Sequence, residues 1–383
     1  MSLTPPPAPG PQSHVPAWPS AASRRRGVGV GLIVAFAIAL VVGLLVLGYL
    51  AVALGLSVVA TGTLLAFVPL VIVLLAVRWI DRWEPEPRWA LWFAFLWGAA
   101  VSVAIALLVD LGVQLFTALS NPAGTTDEAM QAVVQAPIVE ELAKGIGILL
   151  IYAFSRAHFD GPVDGLVYAA TVAAGFAFTE NILYFGVALI EGGAGELGMT
   201  FLVRGIFSPF AHVLFTACTG VAIGIAARRG GGPQVIGWFL GGLTAAILLH
   251  AFWNGSLAFA DAFALYFTVQ VPIFIAAIVV TVLLRREEQR VTRLRLAEYA
   301  SAGWFSPDEV DGLSSPTGRR AALAWARAQQ PPRTDQVRRF IADATRLAFT
   351  RNALVGGRAD VRRLEDERVL LDAVARDRRA ISA

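Results

Sequence analysis

The chain has 383 residues, 56% of them hydrophobic and 15% charged, and its mean hydropathy of +0.64 places it among proteins that cross a membrane several times. The net charge of +3 comes from a basic C-terminal part, with about two-thirds of the 31 Lys and Arg residues after Leu284, and gives no ground for nucleic-acid binding. The single cysteine, Cys218, lies in an apolar run, which excludes an intramolecular disulfide, a Cys-x-x-Cys redox pair and a structural zinc cluster.

Residues 1–26 are rich in Pro, Ala and Ser and read as a disordered cytoplasmic segment. Arg24-Arg25-Arg26 then precedes an apolar stretch too long for the core of a cleaved signal peptide, so an uncleaved first span is expected. Apolar windows bounded by polar or Gly/Pro breaks predict about eight spans, at 27–50, 54–77, 89–119, 131–155, 165–190, 201–227, 234–260 and 262–284. Alternate loops carry the arginines: Arg24 to Arg26, Arg78 with Arg82 and Arg88, Arg156, Arg228 with Arg229, and Arg285 with Arg286. The stretches from Ser120 to Pro137 and from Glu191 to Thr200 carry acids but no Lys or Arg, as external loops do, which places both termini in the cytoplasm. Arg204 is the exception to this pattern. Residues 285–383 alternate Arg and acidic side chains with Leu, Val and Ala at helical spacing, which predicts a cytosolic helical tail. The fold class is therefore an all-α, polytopic transmembrane helix bundle of residues 27–284 at the cell membrane, followed by that tail.

Several spans carry side chains that bilayer crossing does not require. Lys144, the only lysine in the chain, follows Glu140 and Glu141, and each ionisable group at the bilayer centre costs roughly 2.5–3.5 kcal/mol on insertion scales. Glu140 and Lys144 share a helix face, while Glu141 lies about 100° from Glu140 and is three residues from the same lysine, so one ammonium reaches both acids. Glu180-Asn181, His212 and His250-x-x-x-Asn254 add further polar positions, and Asp110 is another acid within a span. Glu140, Glu180, His212 and His250 each fall about 15 residues from the cytoplasmic end of their span and about 10 from the outer end, which sets them in one layer ~15 Å from the outside. A lone intramembrane His or Asn is often a hydrogen-bonding link between helices. Cys218 reads as core, with no charge nearby to favour a thiolate.

These residues resemble the PrsW family of intramembrane proteases. The resemblance rests on Glu140-Glu141-x-x-Lys144, Asp160-Gly-Pro-Val-Asp164-Gly165-Leu-Val-Tyr168, Gly175-Phe176-x-x-x-Glu180-Asn181-Ile-Leu-Tyr184, His212 and His250-x-x-x-Asn254, in that order, with the acidic loop Asp81-Arg-Trp-Glu84-Pro85-Glu86-Pro87 upstream. It covers about residues 60–284 and leaves out both ends. Related CAAX-processing and bacteriocin-processing membrane proteases have a His where this chain has Glu180, a departure that agrees with PrsW and leaves His212 to supply a base-assisting imidazole. The resemblance implies proteolysis of a membrane-anchored protein, for instance an anti-sigma factor in an envelope-stress cascade.

On this reading Glu140 activates a water as general base, with Glu141 and Lys144 setting its ionisation. His250 and Asn254, on one helix face, stabilise the oxyanion. His212 and Glu180 orient water or pass a proton to the leaving amine, and Asn181 supports them. The favoured reading has no resident cofactor and no metal, and no His-Glu-x-x-His motif is present. A set made of His212, His250, Glu140 and Glu180 keeps catalytic zinc as the alternative. The expected partners are the membrane-anchored substrate and the lipid bilayer, with the partner of the tail unassigned. Two other classes compete: a proton-coupled transporter, against which stands the lack of an internal repeat, and a noncatalytic membrane signalling scaffold, which leaves the polar layer unexplained. The orientation is open to a direct test. In a Cys218→Ala background, single cysteines in the loop around Gly192 should label from outside the cell and those around Gly231 only from inside; the reverse pattern would overturn the topology.

Overall fold

The structure is a computed structural model and describes residues 30–120, 127–156, 159–257, 262–356 and 361–382. The segment 1–26 expected to be disordered, and the break near Asp261, lie outside the described residues. The described residues are mostly helical, with no strand among them.

Two apolar helices, α1 (Val30–Leu54) and α2 (Leu56–Ile80), are joined at Gly55, whose φ of 90° belongs to glycine. After the Asp81–Pro87 loop, α3 (Arg88–Leu96) runs through a widened π turn, Trp97–Ser102, into α4 (Val103–Ser120). The short α5 (Glu128–Met130) is capped by Asp127, whose carboxylate accepts from the amides of Ala129 and Met130. A second widened turn, Gln131–Gln135, leads into α6 (Ala136–Phe154). The central helix is α7 (Pro162–Phe201), which starts at a Pro in its first turn with Asp164 accepting from the amides of Asp160 and Gly161, both at 2.8 Å.

Glycines allow α7 to lie against its neighbours backbone to backbone. A Cβ on Gly165 would stand 2.0 Å from the carbonyl oxygen of Gly220 in α8 (Ala211–Arg228), and one on Gly98 would stand 1.9 Å from that of Val172. Such close approach is the means by which helices associate in lipid, where burial of apolar surface gives no drive. The remaining helices are α9 (Gln234–Leu257), α10 (Ala262–Leu265) with a widened turn at Tyr266–Gln270, α11 (Val271–Ser301), α12 (Pro307–Leu313), α13 (Pro316–Ala328), α14 (Thr334–Val355) and α15 (Val361–Ser382).

Six helical stretches among the described residues are long and apolar enough to cross a bilayer, against about eight expected. Two differences account for the lower number. Three ionisable residues make α6 too polar to qualify on composition, and residues 162–228 form one helical stretch where two spans and an external loop were expected. The expected loop at Glu191–Thr200 is helical with a reversal at Gly193, where φ is 65°. Phe185 and Phe201 would lie about 24 Å apart along a straight helix, yet their rings are 5.7 Å apart. The chain therefore turns back at Gly193 and returns along its own helix.

The boundary expected between residues 284 and 285 falls inside α11, a single helix of 31 residues. At ~1.5 Å per residue it is about 46 Å long, well beyond the ~30 Å hydrocarbon core, so its later turns stand outside the bilayer. Leu296 and Tyr299 on those turns pack with Phe305, Leu313, Phe340, Leu347 and Val374 into a separate helical core. This core is tied to the loop between α2 and α3. The Trp83 indole is buried beside Val291 and Phe349 and donates to Thr292 Oγ1 at 3.0 Å. Arg319 lies over the same ring at 3.4 Å and donates to the carbonyl of Trp83 (3.0 Å) and to Thr345 Oγ1 (2.6 Å). Burial, reinforced by Asp160 and Asp164, pushes the Glu84 carboxyl well up from its ordinary value. Burial and the charge of Asp164 push that of Glu86 up as well, and Glu86 accepts from the Tyr168 hydroxyl at 2.5 Å.

Trp83→Ala should destabilise the protein by about 3–5 kcal/mol, the usual cost of deleting a buried indole, and should expose the segment after Ser301 to limited proteolysis. An unchanged melting temperature with an unchanged cleavage pattern would show that Trp83 does not hold the two parts together.

Candidate functional site

Four helices bring their polar residues to one place. Lys144, in the middle of α6, is fully buried and donates to Glu141 Oε1 at 2.8 Å and to Glu140 Oε2 at 3.3 Å, as their spacing on the helix predicts. Its Nζ also lies 3.1 Å from His212 Nδ1 in α8, and 3.8 Å from the centre of the Phe176 ring in α7. The ammonium is thus satisfied by two carboxylates, an imidazole nitrogen and an aromatic face.

Both oxygens of the fully buried Glu141 are occupied. Oε1 accepts from Lys144 and lies 3.1 Å from His250 Nδ1 in α9, while Oε2 accepts from the Thr216 hydroxyl at 2.8 Å. Glu140 is the less enclosed of the pair, its side chain 11% exposed against none for Glu141. Glu180 is paired with Arg204, returned by the reversal at Gly193, at 2.5 Å. The same Glu180 oxygen lies 2.8 Å from His212 Nε2. Arg204 Nε donates to Asn181 Oδ1 at 2.9 Å, and its guanidinium lies 3.9 Å from the Tyr184 ring centre. Phe215 stacks on His250 with 4.6 Å between ring centres.

Hence the structure joins Glu140, Glu141, Lys144, Glu180, His212 and His250 into one cluster, with Asn181 attached through Arg204. It does not join Asn254, whose amide donates to the Ala132 carbonyl at 2.8 Å and ties α9 to the widened turn ahead of α6. Asp110 is likewise apart, accepting from Gln114 at 2.8 Å, and Cys218 bonds back to the Leu214 carbonyl. Thr216 and Phe215 are absent from the sequence reading, and Arg204 and Phe176 appear in it without being assigned to the site. Thr216 follows His212 by four positions and Phe176 precedes Glu180 by four, a spacing that puts each pair on one helix face; only tertiary structure reveals Arg204.

One donor atom each from Glu140, His212 and His250 lie within 4.8 Å of one another, and Glu180, part of the set expected from sequence, is not in this group. Two imidazoles and a carboxylate are a donor set of catalytic zinc sites. The hydrogen bonds suit that use: carboxylates only accept, so Glu180 places the proton of His212 on Nε2 and Glu141 places that of His250 on Nδ1. That leaves a lone pair on His250 Nε2 and on His212 Nδ1, the latter facing Lys144 Nζ at 3.1 Å, and a carboxylate behind each imidazole is the orienting arrangement typical of metal-bound histidines. An ion bound at His212 Nδ1 would replace the contact that Lys144 now makes there. The residues therefore fit a divalent metal.

A bundle of apolar helices enclosing a charged, metal-competent cluster defines a polytopic membrane protein with an intramembrane chemical site. The PrsW family of intramembrane metalloproteases matches residues 86–281, about half of the chain, and the chain belongs to this family. The matched region holds every member of the cluster and ends before the helical tail. Protease PrsW of Clostridioides difficile (strain 630) is 33% identical over 160 residues, which are 42% of this chain and 63% of that protein. Protease PrsW of Geobacillus kaustophilus is 29% identical over 144 residues, 38% and 57% of the two chains, and that of Bacillus subtilis is 35% identical over 107 residues, 28% and 45%. The match thus spans about half to just under two-thirds of the length of these curated relatives. No solved structure matches the chain.

Purified protein should hold about one divalent ion per chain, measured by elemental mass spectrometry, and His212→Ala with His250→Ala should abolish that occupancy. Full occupancy in the double variant would place the ion elsewhere.

Proposed function

We propose that this chain is a membrane-embedded endopeptidase that hydrolyses a peptide bond in a membrane-anchored protein, with both termini in the cytoplasm. An anti-sigma factor of an envelope-stress cascade is a substrate consistent with this reading. The observation that carries it is the meeting of Glu140, His212 and His250 within ligand distance of one another, inside the region that matches the family.

Glu140 is the general base in this reading, because both oxygens of Glu141 are already bonded to Lys144, His250 and Thr216. Its carboxylate takes a proton from the water whose oxygen attacks the scissile carbonyl carbon, then returns that proton to the departing amine as the C–N bond breaks. Glu141 holds His250 and Glu180 holds His212, so both imidazoles face the reacting centre in a fixed tautomer. Lys144 balances the two acids of its own helix and keeps them in place. In the alternative with a metal, His212, His250 and Glu140 would hold a divalent ion that would supply Lewis-acid polarisation of the carbonyl, and Glu140 would then serve as a ligand instead of the base. Asn254 acts indirectly, by holding the turn that leads into α6.

Glu140→Gln keeps the shape and a hydrogen-bonding group but removes the proton acceptor, so cleavage should fall at least ~100-fold with little change in thermal unfolding. The measurement is mass spectrometry of membrane-protein fragments from cells with and without the intact residue. Cleavage at the normal rate by the Gln variant would rule out this assignment, and chelator-resistant cleavage would remove the metal from it.

A further inference from the structure

Arg204 is the residue that breaks the arginine asymmetry of the loops, and the structure accounts for its position. It lies in the widened turn Leu202–Phe207 that follows the reversal at Gly193. Its side chain is only 24% exposed, and an arginine within a membrane bundle is stable only when paired. Among the described residues, one stretch of α7 supplies the partners that hold it: Glu180 Oε2 at 2.5 Å from Nη2, Asn181 Oδ1 at 2.9 Å from Nε, and the Tyr184 ring 3.9 Å from the guanidinium carbon. Two bonds from different nitrogens, with a ring against the guanidinium, fix its orientation, which a lysine cannot reproduce.

The oxygen that Arg204 holds is the one facing His212 Nε2 at 2.8 Å. A carboxylate free to rotate would offer either oxygen to the imidazole over a range of angles; here the guanidinium selects one. We infer that Arg204 is a positioning residue of the site, acting through Glu180 to orient His212, and that the reversal at Gly193 serves to deliver it there. The line from Arg204 to Glu180 to His212 ends at the donor group formed with Glu140 and His250. Outer partners of this kind usually contribute 10–100-fold to metal affinity or activity. The inference rests on the hydrolytic reading given above.

The test uses full-length protein carrying Arg204→Gln, Glu180→Gln or both, the double variant leaving no charge without a partner. Zinc affinity is measured by titration calorimetry with the metal alone, kcat and KM on a membrane-anchored substrate, and folding by thermal unfolding. Positioning predicts that Arg204→Gln weakens zinc binding and lowers kcat by about 10-fold or more with KM nearly unchanged. It also predicts that adding Arg204→Gln to Glu180→Gln changes neither quantity further, because the effect passes through that carboxylate. A raised KM at unchanged kcat would make Arg204 a substrate-binding residue and overturn the inference, as would full additivity of the two substitutions. Wild-type protein that neither binds zinc nor cleaves would instead refute the hydrolytic reading itself. A folded Arg204→Gln variant with wild-type affinity and kcat, beside an active wild type, would refute the positioning role alone.

Discussion

The membrane part of this protein is organised around one ammonium group. Lys144 is fully buried, and its contacts reach α6, α7 and α8 at once. Two carboxylates so close together in a bundle repel each other and lose their hydration, and a cation bonded to both is what makes their burial tolerable. With that balance set, Glu141 is free to bond His250 and Thr216, which draws α9 and α8 to the same point. The charged residues of α6 therefore specify how the surrounding helices are placed, in a solvent that gives little other direction to packing.

That arrangement needs the helices close enough for short side chains to bridge them. The glycine contacts of α7 provide this: Gly165 meets Gly220 and Gly175 meets the Phe95 carbonyl at distances no Cβ allows. With α8 held so near α7, His212 comes within bonding distance of both Lys144 and Glu180. The widened turns have a comparable effect. The one at Trp97–Ser102 includes the Ala99 carbonyl that accepts from Thr179 at 2.8 Å, one residue before Glu180.

The helical tail lies outside the family match, yet it is continuous with the bundle through α11 and clasps the Trp83 loop through Arg319. That loop also carries Glu86, whose bond to Tyr168 connects it to α7. Contacts thus run from the tail, through the loop, to the helix that carries Glu180. Among the described residues, the site is made by α6 to α9 and the turn that holds Arg204.

The sequence by itself determined the helical, membrane-spanning class, because long apolar runs in lipid have no other way to satisfy their backbone. It also determined the local geometry of Glu140, Glu141 and Lys144, since spacings of three and four on a helix fix which side chains meet. The convergence of Glu180, His212 and His250 on them was foreseeable from their common depth. Tertiary structure alone decided the rest. Asn254 shares a helix face with His250, but the turn ahead of α6 lies within reach of its amide and takes it away from the cluster. Arg204 reads as a misplaced loop charge until the reversal at Gly193, where a run of glycines looks like a loop, returns it to Glu180. The continuity of α11 across the expected domain boundary is equally invisible, because a fall in hydropathy marks where a helix leaves the bilayer and not where it ends. Sequence periodicity specifies neighbours within a helix; contacts between helices depend on crossing, reversal and close approach, which no single helix encodes.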